Sequence, residues 1–161
     1  ENVQKLKERD LDFLETVIAR CCEIKADVVA MDEKEDGVRA ILNFGHTFGH
    51  AIEKVGEYGG CLHGEAVSVG MVYVAKVSMQ EKKFPAEDYD RLVGLMKRMK
   101  LPVSLADLKL KASWKDIRGA MAADKKGSHK APRFVLAERI GAVVFGCEVS
   151  EEVLEKNWAG M

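Results

Sequence analysis

Leu11, Leu14, Val17, Ile18, Cys21, Cys22, Ile24, Val28 and Val29 recur at intervals of three and four, which predicts a first helix that ends near Met31. Asp10 stands where its N-cap belongs. The acidic run 32–36 and Gly37 read as a solvated turn. A second helix is predicted over residues 39–55, closed by Gly56, Gly59 and Gly60, and a third over 63–83. In the third, Ala66, Val67, Val69, Met71, Val72, Val74, Ala75 and Val77 leave almost no polar side, so it is expected to be the central buried helix. Pro85 and Pro102 bracket a fourth over 86–100. Ser113 and Asp116 suit a capping box for a short helix over 114–123. The pattern then changes: the short β-branched or aromatic runs 133–137 and 142–145, separated by residues 138–141, predict a hairpin, and Ser150 caps a last helix through Trp158. The fold class is therefore mainly α, a helical domain with one small antiparallel β-hairpin near the C-terminus.

Composition narrows the picture. At 161 residues, 47% hydrophobic and 32% charged, the chain suits a single helical domain over 1–161. Twenty-five basic against 26 acidic side chains leave a net charge of −1, which supplies no field for nucleic acid. The most apolar stretch, 66–75, is far shorter than the roughly 20 residues of a membrane span. Cys21 and Cys22 are adjacent, and Cys61 and Cys147 lack a CxxC partner, so the four are read as small buried hydrophobes in a reducing cytoplasm. The chain opens without Met on a helical pattern, which suggests excision from something longer.

The informative chemistry lies in the second predicted helix. At 100° per residue, Arg39, Asn43, His46, His50 and Glu53 share a sector roughly 80° wide, opposite Ile41, Phe44, Phe48, Ile52 and Val55. A solvent-facing stripe would account for the pattern if it were built of Glu and Lys. This one contains no lysine and holds groups that bind anions or ligate metals. Gly45 and Gly49 would admit a close backbone at a propensity cost of ~1 kcal/mol each. Spacing alone allows His46 and His50 to share a metal, with His63 as a third ligand; Thr47 in place of Glu excludes the HExxH protease pattern. Lys25, either a snorkelling surface lysine or a site cation, and the basic loop 124–130 containing Lys125 would suit a substrate with phosphate or carboxylate.

Ile24-Lys25-Ala26, Asp32-Glu33 with Glu35, Arg39, the block from Leu42 through Asn43-Phe44-Gly45-His46-Thr47-Phe48-Gly49-His50 to Glu53, and Leu62-His63-Gly64-Glu65-Ala66-Val67 closely resemble the C-terminal domain of the 3-dehydroquinate synthase family, within the sugar-phosphate cyclases. The resemblance covers essentially the whole chain. It implies a shikimate-pathway lyase that converts the seven-carbon phosphate DAHP into 3-dehydroquinate with phosphate elimination, using NAD and a divalent metal, normally zinc. Carried over, His46 and His63 resemble two of three zinc ligands. His50 resembles a substrate-contacting catalytic residue, which corrects the spacing argument. Lys25, as a catalytic and substrate-binding group, and Arg39, Asn43 and Lys125 resemble substrate-binding positions. The family is commonly homodimeric and cytoplasmic.

The family's third zinc ligand, a glutamate, and its N-terminal NAD-binding α/β domain have no counterpart in these residues, and no strand leads into GxGxxG. The chain alone is accordingly expected to be inactive and to bind zinc weakly. Rival readings are another cyclase such as 2-deoxy-scyllo-inosose synthase, an iron-dependent alcohol or glycerol dehydrogenase, and a non-catalytic metal-binding helical module.

Overall fold

The computed structural model describes residues 2–34, 37–57, 60–124, 132–159 and 161. The chain divides into two compact units, Glu1–Leu42 and Asn43–Met161.

In the first unit, α1 (Val3–Glu8) leads into α2 (Leu11–Met31). The Asp10 carboxylate accepts the Phe13 N–H at 2.9 Å, the predicted N-cap. Periodicity located the helix correctly but not its burial. Val28 is the only buried residue among those described on α2, while Leu11, Ile18, Ile24 and Met31 are exposed. Cys21 and Cys22 are exposed too, and Cys61 and Cys147 half-buried, so the expectation of four buried cysteines is corrected. An apolar stripe specifies a face, not what covers it. After α2, the Asp32 carboxylate accepts N–H groups from Gly37 (2.8 Å) and Arg39 (2.9 Å), and the Arg39 guanidinium donates to the Glu33 carbonyl.

The helix predicted over 39–55 is two elements. A 3-10 turn, Val38–Asn43, precedes α3 (His46–Val55), with Gly45 between them at φ 81°. The left-handed backbone at Gly45 ends one element and starts the next. The stripe of five was periodic in sequence but does not lie on one helix.

The second unit continues with α4 (His63–Glu81), α5 (Ala86–Arg98) and α6 (Trp114–Asp124). The antiparallel hairpin β1 (Phe134–Arg139) and β2 (Ala142–Cys147) and α7 (Glu151–Trp158) complete it. Here α4 is the central buried helix the sequence predicted, with ten described residues buried. Its core is shared by Phe48 and Ile52 of α3, Val69, Tyr73 and Val77 of α4, Ile117 and Met121 of α6, Phe134 and Leu136 of β1, and Leu154 of α7. Phe48 stacks on Tyr73 with ring centres 3.9 Å apart, and the Tyr73 hydroxyl donates to the Leu154 carbonyl at 2.7 Å. Burial raises the Tyr73 hydroxyl far above its usual pKa, with a smaller push from Glu151, so it serves as a permanent donor. Ser113 and Asp116 form the predicted capping box, and Ser150 caps α7.

Gly45 and Gly49 have a structural use. A Cβ on Gly45 would fall 2.7 Å from the Met71 backbone nitrogen, and one on Gly49 would fall 3.1 Å from Val67 Cα. Across the crossing, a Cβ on Gly70 would strike the Gly45 carbonyl oxygen. The close backbone that Gly45 and Gly49 were expected to admit is therefore α4, and this contact sets α3 against its neighbour.

Candidate metal and substrate site

The core-facing positions of α3, Phe48, Ala51 and Ile52, are buried, which turns His46, His50 and Glu53 to the other side of the helix. His63, the first residue of α4, joins them there. Ring centres lie 5.7 Å apart for His46 and His50, 5.5 Å for His46 and His63, and 5.8 Å for His50 and His63. Three of the four histidines in the chain thus converge. Ligand atoms of His50, Glu53 and His63 also lie within 4.8 Å of one another.

Hydrogen bonds orient the rings of His46 and His63. His46 Nδ1 lies 3.3 Å from the Phe44 carbonyl oxygen, and His63 Nδ1 lies 3.1 and 3.2 Å from the two Glu53 carboxylate oxygens. The start of α4 is itself pinned, because Leu62 N–H donates to the Glu65 carboxylate at 2.8 Å. Burial lowers the His46 pKa below the usual imidazole value of 6.5, the Phe44 carbonyl opposes the shift, and His50 and His63 reinforce it. The shift favours the neutral imidazole, the form that can ligate a metal. Burial, with Glu53 and Glu65 adding repulsion, raises the thiol of Cys61, which therefore stays protonated beside the cluster.

The other sequence-predicted residues are distributed along the chain. Lys25 is exposed on α2 and Arg39 sits at the Asp32 turn, both in the first unit, whereas Asn43 opens the second. Lys125 lies outside the described residues. Glu53 was visible on the stripe, but its partnership with His63 was not read from the sequence. The signal that could have found it is its place one turn beyond His50, near the end of the helix from which the chain returns to His63.

Residues 1–127 match the family model described as "3-dehydroquinate synthase C-terminal". The chain belongs to the 3-dehydroquinate synthase family. It is 42% identical over 156 residues, 97% of its length, to a 3-dehydroquinate synthase of Vibrio atlanticus (strain LGP32). It is 45% identical over 155 residues to one of Aliivibrio fischeri (strain MJ11). In each case it spans 42% of the relative's length. The fold is similar to that of a 2-deoxy-scyllo-inosose synthase solved with carbaglucose-6-phosphate, NAD+ and Co2+, with TM-score 0.81 and 28% identity over 93% of this chain and 43% of that one. It also matches a 2-epi-5-epi-valiolone synthase from Streptomyces hygroscopicus subsp. jinggangensis 5008, solved with NAD+ and Zn2+, at TM-score 0.82 and 21% identity, covering 98% of this chain and 43% of that one. The latter likeness bears on the fold alone.

Proposed function

We propose that this chain is the metal- and substrate-binding part of a 3-dehydroquinate synthase that converts DAHP into 3-dehydroquinate with loss of phosphate. The observation that carries this reading is the histidine cluster in a chain more than 40% identical to 3-dehydroquinate synthases over nearly all its length. Identity to the 2-deoxy-scyllo-inosose synthase is lower, at 28%.

The cluster fits a divalent metal of borderline softness, since imidazole nitrogens and a carboxylate are what such ions take. His46 and His63 would hold it, as the family resemblance implies, and a glutamate from outside these residues would complete the set. Such a metal supplies Lewis-acid polarisation of substrate oxygens, and NAD, bound by an upstream α/β domain, supplies a hydride acceptor. This chain's own residues do the holding. His50, one turn from His46, contacts the substrate as a catalytic residue. Lys25, Arg39, Asn43 and Lys125 bind its carboxylate, phosphate and hydroxyls, fixing a charged, flexible molecule in one orientation.

Three cations among these residues favour a substrate bearing a carboxylate as well as a phosphate. The full enzyme is a homodimer acting in the cytoplasm, where four unpaired cysteines stay reduced.

The test is phosphate release by the full-length protein, offered DAHP and, separately, glucose 6-phosphate. Turnover of DAHP alone supports the proposal. Turnover of glucose 6-phosphate alone overturns it in favour of an inosose synthase, and no turnover of either favours the non-catalytic module.

A further inference from the structure

We propose that Glu53 is a positioning residue of the metal centre: its carboxylate holds the ring of His63 in the tautomer and orientation that present Nε2 to the metal. The inference rests on the reading of His46 and His63 as ligands.

The two rings are held in matching ways. Each directs its Nδ1 at an oxygen acceptor, the Phe44 carbonyl for His46 and the Glu53 carboxylate for His63. An Nδ1–H donated to an acceptor leaves the lone pair on Nε2, the nitrogen a metal would use. The difference is that the His46 acceptor is backbone, whereas the His63 acceptor is a side chain that substitution can remove. His63 needs such a partner more, because its side chain is 56% exposed. Glu53 is well placed to impose order, with its side chain only 16% exposed and its backbone adjacent to Ile52, fully buried in the core. Glu65, the other nearby carboxylate, is engaged by the Leu62 N–H.

The closeness of His50, Glu53 and His63 ligand atoms admits a competing role, Glu53 as a ligand itself. The two roles part on the glutamine variant. Gln keeps an oxygen that can accept from Nδ1–H, but a neutral amide is a poor replacement for a carboxylate ligand.

The experiment titrates full-length protein with Co2+ in competition with a chelator and records the visible Co2+ absorption for wild type, Glu53→Gln, Glu53→Ala and His63→Ala. Urea midpoints verify that each variant is folded. Expected is a 10- to 100-fold weaker affinity in Glu53→Ala, the range for lost outer-shell partners. Glu53→Gln should stay within about threefold of wild type and keep the wild-type spectrum. Wild-type affinity in Glu53→Ala, with His63→Ala defective, overturns the inference alone. So does a Glu53→Gln variant as weak as Glu53→Ala with an altered spectrum, which would make Glu53 a ligand. Wild-type affinity in His63→Ala overturns the ligand assignment on which the inference stands.

Discussion

The two sides of α3 are built from the same ten residues and answer to different demands. On one, Phe48, Ala51 and Ile52 are buried against α4 and its neighbours. On the other, His46, His50 and Glu53 meet His63 with their polar atoms converging. The packed side can be judged by stability, whereas on the polar side His50 and His63 oppose protonation of His46, an arrangement suited to a ligand rather than to packing. Substitutions should therefore separate, those on the first side unfolding the chain and those on the second leaving it folded but unable to bind.

The sharpest way to break this division is Phe48→Ala. It removes the ring stacked on Tyr73 and is expected to cost about 3–5 kcal/mol, read as a lowered urea midpoint. His46→Ala should do the opposite. Its stability should stay within about 0.5 kcal/mol of wild type, while Co2+ affinity falls by more than the roughly 100-fold upper range of an outer-shell loss. If His46→Ala unfolds the protein instead, the polar side is structural and the division fails. Gly70→Ala tests the seam between the two helices. Its Cβ would meet the backbone at Gly45 and Gly49, which cannot swing aside, so a loss of about 1–3 kcal/mol is expected by thermal denaturation.

The smallest effect lies away from α3. Ser113→Ala removes the cap of α6, at about 0.5–1 kcal/mol near neutral pH. The Asp116 carboxyl is held below its usual value of 3.8, first by the Ser113 hydroxyl and then by the Ser113 N–H. A depressed carboxyl stabilises the fold above its ordinary pKa and loses that contribution as pH falls through the lowered value. The gap in melting temperature between wild type and Ser113→Ala should thus be widest near pH 7 and shrink on strong acidification. A gap independent of pH would show that Asp116 takes no part.

Comparison of α2 with α4 shows how far sequence reading reached. Both carry apolar residues at helical spacing, and the predicted bounds agree with Leu11–Met31 and His63–Glu81 to within about a turn. Capping was legible as well, at Asp10, Ser113 and Ser150, because a cap needs only residues three positions apart. Burial was legible in α4, where apolar residues surround the axis, and not in α2, where a one-sided stripe leaves the covering partner unspecified. The candidate site was legible in its residue types. Its division was not: Gly45 splits the stripe, and a glycine inside an apolar period is compatible with both a continuous helix and a break.

Local order and the family were determined by the sequence itself, since they depend on neighbours along the chain and on motifs that survive divergence. Which glycine faces which backbone, where α3 begins, and the meeting of Glu53 with His63 across the α3–α4 connection were decided only by tertiary structure. The physical reason is that these contacts arise from helix crossing, where a few tenths of an ångström between Gly45, Gly49 and Gly70 select one packing, and no periodicity along a single chain encodes that distance.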